Sequence, residues 1–427
     1  METVRRHDGG CCPVSDPCPR HVHAGLAAGQ ADRALAIDGV AGDALGEMLD
    51  VRGLSRRAVF GAGAAGALFA AGAPALARSA AAKGAAHAPA LASVPFGRMH
   101  DLPSTKDTVR VGAMDPATPI VLEIDSGDVV RYSNTWVNWA NEAKFGMGFE
   151  EREAIRKRYP AGPYSLVGPV AVKGAEPGDL IECRMIRLRP IGWGWNSTPK
   201  GMGALPDDFD KPFLHYLRFD EARGHADYAP GVRIPLSPIQ AVMAVQPAGD
   251  KAVSGILSGA YGGNISLREL TEGTSLFLGV EMAGGRLWTG DSHAAQGDGV
   301  VDQTAIETAM EDLRIQYILH KRVALTAPIA ETPSYWIMLG YGKTVDDALT
   351  ASLRQMITWL SGATRLDPMD IYALASIAAS FRITQYANQT HTVYSNSPLK
   401  AVHGMMPKAI FDADRLRQIS ASVRPGA

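Results

Sequence analysis

Cysteine is scarce in this sequence of 427 residues: Cys11, Cys12 and Cys18 crowd the N-terminus, and only Cys183 lies in the body of the chain. Loss of the N-terminus therefore leaves no intrachain disulfide. The early cysteines, with His21 and His23, lack the geometric spacing and ordered scaffold of a metal knuckle. An excess of positive charge is also missing. The formal net charge is −2 and no basic stripe is present, which argues against a nucleic-acid partner. The longest mixed-charge run, Glu150 to Arg158, alternates acid and base in blocks and predicts a solvated helix face.

Long apolar runs are confined to one place. Ser55-Arg56-Arg57 opens an Ala- and Gly-rich run that ends at Ala75-Leu76-Ala77, giving a charged, an apolar and a small-residue part in the order of a signal peptide. The paired arginines resemble the twin-arginine export signal, with Val59 where Phe is usual. Export, cleavage after Ala77 and a periplasmic or secreted mature protein are the expectations, with the export machinery as a partner. A membrane-spanning helix is the poorer reading, because five residues between Ala58 and Pro74 are glycine or proline. Met48 would open an n-region of ordinary length, so a start there would explain the long stretch before it.

With 46% hydrophobic residues the chain can bury a sizeable core. Residues 1–77 are read as extension and signal, 78–108 as linker, 109–240 as a β-rich domain, 241–412 as an α+β domain and 413–427 as a tail. Short β-type runs begin at Val109. Ile120–Ile124 and Asp128–Tyr132 flank Asp125-Ser126-Gly127 and predict a hairpin; Val167–Val172 and Leu180–Ile186 flank a second turn. Thr344 with Asp347 predicts a helix that Gly362 stops, and Asp367-Pro368 starts another with Ile371, Leu374, Ile377 and Phe381 inward. Strands first and helices late give a β-rich α+β fold, with a sandwich or barrel-like N-terminal region followed by an α+β region. A homo-oligomer is expected.

The densest chemistry lies in Gly290-Asp291-Ser292-His293-Ala294-Ala295-Gln296-Gly297-Asp298-Gly299. Two carboxylates and an imidazole separated by small residues suit a tight loop around a metal ion or an activated water, and equally a hydrogen-bonded turn in which Asp291 holds His293. Gly262-Gly263-Asn264 reads as a turn, with Asn264 tolerating a left-handed conformation. Trp193-Gly194-Trp195 reads as packing at a sheet edge or as the wall of an apolar pocket.

Together these motifs resemble the acetamidase/formamidase family. The resemblance runs from about Val109 to Ile410 and includes Gly168-Pro169, Gly174–Asp179, Glu331-Thr332-Pro333, Arg382–Gln385 and Pro407–Phe411. It implies hydrolysis of short linear amides to carboxylate and ammonia with a divalent metal, zinc, or alternatively calcium or none. Carried over by motif, Asp291 and His293 become metal ligands, Asp298, Glu307 and Gln296 catalytic groups, and Asn264 and Trp195 substrate-binding residues. The chain departs from the family pattern at Arg110, Tyr261, Ser266, Val300 and Ser380, each of which replaces a carboxylate or imidazole. Those departures motivate a second reading, a catalytically degenerate exported relative that binds a small ligand.

Overall fold

The structure, a computed structural model, describes residues 95–386 and 398–425. The twin-arginine segment and its cleavage position lie outside the described residues. Two large sheets and a layer of helices make up the described body. One sheet has nine strands in the spatial order Met99–Asp101, Val129–Ser133, Met310–His320, Leu180–Pro190, Ser275–Gly279, Ile329–Glu331, Tyr335–Gly342, Lys400–Pro407 and Ser380–Gln385. In the other, Gly262–Asn264, Ile239–Ala244, Leu287–Ala295, Ile306–Thr308, Trp193–Thr198 and Phe213–Arg218 are successive neighbours, and Ser165–Val172 also pairs with Leu287–Ala295. Each sheet draws strands from both sides of residue 240.

The main core lies between the sheets. Val167, Val170, Met243 and Leu287 of one sheet share an apolar cluster with Ile181, Cys183, Leu276 and Leu313 of the other. The far face of the nine-stranded sheet is covered by helices Val345–Thr364, Pro368–Ala378 and Ala413–Val423, through Met356, Leu360, Ile371, Ile419 and Val423 against Phe277, Trp336 and Met406. The β-rich α+β class expected from the sequence is the one observed. Residues 413–427 include the last of these helices. Arg424 at its end is buried and pairs with Glu182 at 2.7 Å and with Glu331 at 2.5 Å, so an ionic network pins the C-terminus to the sheet.

Several local expectations change. The segments around Asp125-Ser126-Gly127 are not a hairpin: Leu122–Ile124 pairs with Ser165–Val172 in one sheet, and Val129–Ser133 with Met310–His320 in the other. The turn is an arch between layers, which a period of two cannot distinguish from a hairpin because both faces of such strands alternate alike. Thr344 caps its helix by accepting the Asp347 amide at 3.1 Å, but the helix runs past Gly362 and ends at Arg365, where φ is +59°. Asp367 caps the next helix as expected, accepting the Met369 amide at 2.8 Å. Ile371 is buried there, whereas Ile377 is 80% exposed and Phe381 belongs to an edge strand.

Candidate active site

Asp291 and His293 lie on the strand Leu287–Ala295, not on a loop, two residues apart and so on one face. His293 stands in register with Glu307 on the neighbouring strand, which supplies the third member. His293 Nε2 is 3.2 Å from Glu307 Oε1 and 3.3 Å from Asp291 Oδ2. All three are buried, and candidate ligand atoms of the three lie within 4.8 Å of one another. Asp291 has a left-handed backbone, φ +54°, a conformation that non-glycine residues rarely adopt.

Gln296 fixes the imidazole. Its Nε2 donates to the Ser266 carbonyl, which turns Oε1 toward His293; the His293 Nδ1–H therefore donates to that oxygen, at 2.8 Å. Nε2 faces the two carboxylates. Among the described residues neither His293 Nε2 nor Asp291 Oδ1 has a hydrogen-bond partner. Burial opposes charge on the imidazole, but Glu307 and Asp291 outweigh it and hold the group protonated well above its usual range. Burial and the neighbouring Glu307 push Asp291 up to about 7. For Glu307, burial is offset by His293, which holds the carboxyl below its usual range. The arrangement demands a cation between the nitrogen and the oxygens, either a proton or a metal ion. One nitrogen and two carboxylate donors, with Nδ1 anchored from behind, fit a divalent metal.

Asp298 is not brought to this centre. Its carboxylate joins a second cluster with Glu269 and His403, beside Arg268 at 3.6 Å and Arg382 at 3.6 Å. The chain turns away after a bulge between His293 and Ala295. Nor is Gly262-Gly263-Asn264 simply a turn: it is a short strand, and the left-handed residues are the glycines, φ +90° and +91°, with Ser266 beyond. A Cβ at Gly262 would meet the Met243 carbonyl at 2.3 Å, and one at Gly263 the Leu257 carbonyl at 2.3 Å, so only glycine fits. Asn264 accepts from Ser266 Oγ at 2.8 Å and donates to Tyr164 Oη at 3.2 Å. Trp195 is not at an edge, because Ile306–Thr308 and Phe213–Arg218 flank its strand; it is buried and lines a cavity of about 50 Å³ together with Glu307 and Tyr164.

No sequence pattern points to Arg152, which lines the same cavity. The expected solvated face, helix Phe149–Arg156, buries Arg152 to 4% exposure with its guanidinium 4.5 Å from the Trp195 ring centre. Of the positions that depart from the family pattern, only Ser266 enters the network around the triad. Tyr261 packs against the core, Val300 is buried, Ser380 begins the edge strand and Arg110 bonds carbonyls of its own loop.

The described residues thus form a two-sheet, helix-backed scaffold carrying a buried carboxylate–imidazole–carboxylate centre. The chain belongs to the Acetamidase/Formamidase family, whose model matches residues 104–254 and 248–413. It is 26% identical over 245 residues to a formamidase of Methylophilus methylotrophus, covering 43% of this chain and 60% of that protein. To an acetamidase of Mycolicibacterium smegmatis it is 24% identical over 199 residues, covering 33% and 49%. The aligned part therefore spans half to three fifths of these relatives. The acetamidase structure from Bacillus halodurans has the same fold, with a TM-score of 0.64 at 23% identity over 72% of this chain and 97% of that one.

Proposed function

We propose that the chain hydrolyses short linear carboxamides to carboxylate and ammonia at the Asp291–His293–Glu307 centre, with a divalent metal held by those residues. The observation that carries this reading is the buried group Asp291, His293 and Glu307, whose candidate ligand atoms lie within 4.8 Å of one another, with Asp291 Oδ1 and His293 Nε2 lacking hydrogen-bond partners among the described residues. Three protein donors, one nitrogen among them, suit zinc better than calcium, which takes 6–8 oxygens. Bound there, the metal would polarise a carbonyl and acidify water.

The chain's own groups then have distinct tasks. Glu307 is the triad member that lines the cavity, and its depressed pKa keeps it ionised at neutral pH. It is placed to accept a proton from a water molecule in the cavity and to return it to the departing nitrogen. Gln296 orients His293 rather than touching substrate, and Asn264 positions Tyr164 in the cavity wall. Asp298 serves the neighbouring cluster. Roughly 10–15 Å³ is needed per water-sized group, so a cavity of about 50 Å³ suits a molecule of three or four heavy atoms. The non-catalytic alternative rests on the departures from the family pattern, and none of those positions supplies a triad side chain.

Ammonia release from the purified protein, supplied with zinc and then with other divalent cations over a panel of short and bulky amides, tests the proposal. Release confined to the short amides is expected. Silence across the panel from folded, metal-loaded protein would overturn it.

A further inference from the structure

Arg152 is a guanidinium buried among aromatic rings in the cavity that Glu307 also lines. Its carbon lies 4.5 Å from the Trp195 ring centre, 5.2 Å from Trp139 and 5.8 Å from Tyr216, and Nη1 donates to Tyr216 Oη at 3.2 Å. Desolvating a cation is costly, and stacking on rings offsets part of that cost while fixing the plane of the fork. The segment that carries Trp139 has unusual backbone. Trp139, Ala140 and Asn141 are successively left-handed, at φ +57°, +54° and +66°. Ser165 secures that turn by accepting the Ala140 amide at 3.1 Å and donating to the Val137 carbonyl at 2.7 Å. Such backbone strain is kept where the surroundings over-determine it, as at ligand clamps.

Arg152, Trp139, Trp195 and Glu307 line one cavity, together with the ion pair of Arg156 and Glu153. We propose that this cavity is a binding site for short monocarboxylate anions, with Arg152 receiving the oxygens of the acid that amide hydrolysis would release and, before that, the amide carbonyl oxygen. The assignment of these anions as product rests on the function proposed above; the binding itself does not. A fixed fork donates to both carboxylate oxygens, whereas an amide offers only one, so the acid is held more tightly than the amide. The negative charge of Glu307, which also lines the cavity, repels the anion and favours its departure after turnover.

The test is titration calorimetry of formate, acetate and acetamide into the wild-type protein, Arg152→Lys and Arg152→Met, with near-ultraviolet circular dichroism as the folding control. Acetate is expected to bind wild type more tightly than acetamide, with affinity falling about tenfold in R152K and a hundredfold or more in R152M. Because R152M removes a support of Trp195, a second measurement uses wild type alone. The Arg152 Nε–H resonance, assigned by its absence in R152K, should shift on titration with acetate and not with chloride. Acetate binding equally to wild type and folded R152K and R152M, or failing to bind wild type, would overturn the inference. Amide turnover with such unaltered acetate binding would refute the carboxylate site alone, and Arg152-dependent acetate binding without turnover would refute the amidase reading alone.

Discussion

Two clusters in this molecule have the same composition and opposite electrostatics. Asp291, His293 and Glu307 form one, and Glu269, Asp298 and His403 the other; each puts two carboxylates and an imidazole within 4.8 Å. In the first the imidazole is held protonated by its carboxylates. In the second, burial together with Arg382 and Arg268 pushes His403 down to about 3. The difference is the arginines. Arg382 reaches Glu269 at 3.2 Å, so the second cluster carries its own counter-charge and presents it to an open groove. The carboxylates of the triad instead face His293, at 3.2 and 3.3 Å, which they hold protonated. A ligand set is therefore identified less by its residue types than by what already neutralises it.

The strongest way to break this comparison is to remove each histidine in turn. His293→Ala should lower amide turnover by about a thousandfold, within the range ascribed to an acid, base or metal centre. His403→Gln should stay within about tenfold of wild type, measured as ammonia release by folded protein. Equal losses would erase the distinction. The comparison is sharpened by the double substitution Arg268→Met and Arg382→Met, which strips the second cluster of its counter-charge. Bound zinc should rise from one ion per chain to two, and added metal should raise the melting temperature beyond its effect on wild type. If occupancy stays at one, arginine is not what separates the clusters.

The smallest effect is on stability against pH. His403 has a depressed pKa in the folded protein, so between its ordinary value of 6.5 and about 3 the unfolded chain binds a proton that the folded chain does not. Stability is therefore lost as pH falls through that window, with a slope of up to about 1.4 kcal/mol per unit from this group. Urea unfolding at intervals from pH 7 to 4 should show a shallower decline in His403→Gln than in wild type. Parallel curves would mean that the imidazole is not held neutral.

What the sequence makes legible follows from the range of the interactions involved. Asp291 and His293 are two apart in a strand and share a face, a local relation that spacing reveals. Glu307 joins them through strand pairing, and the family motif points to it where local pattern cannot. Asp298 is near His293 in sequence, yet a bulge and a change of direction put it in the other cluster, and no composition signal marks that bend. Helix Pro368–Ala378 is apolar on much of its circumference, so spacing could not fix which side faces the sheet, and Ile377 turned out exposed. Arg152 stayed hidden because a charged run ordinarily faces water, and the aromatic rings that receive it come from distant segments.

The proposed amide hydrolysis depends on one divalent ion held by the buried triad. The most direct measurement is metal content by mass spectrometry alongside acetamide hydrolysis, before and after chelation, in wild type and His293→Ala. One ion per chain in wild type, none in the variant, and activity that disappears on chelation and returns with zinc is the predicted result. Full activity in chelated, metal-free protein, or equal metal content in both proteins, would contradict it.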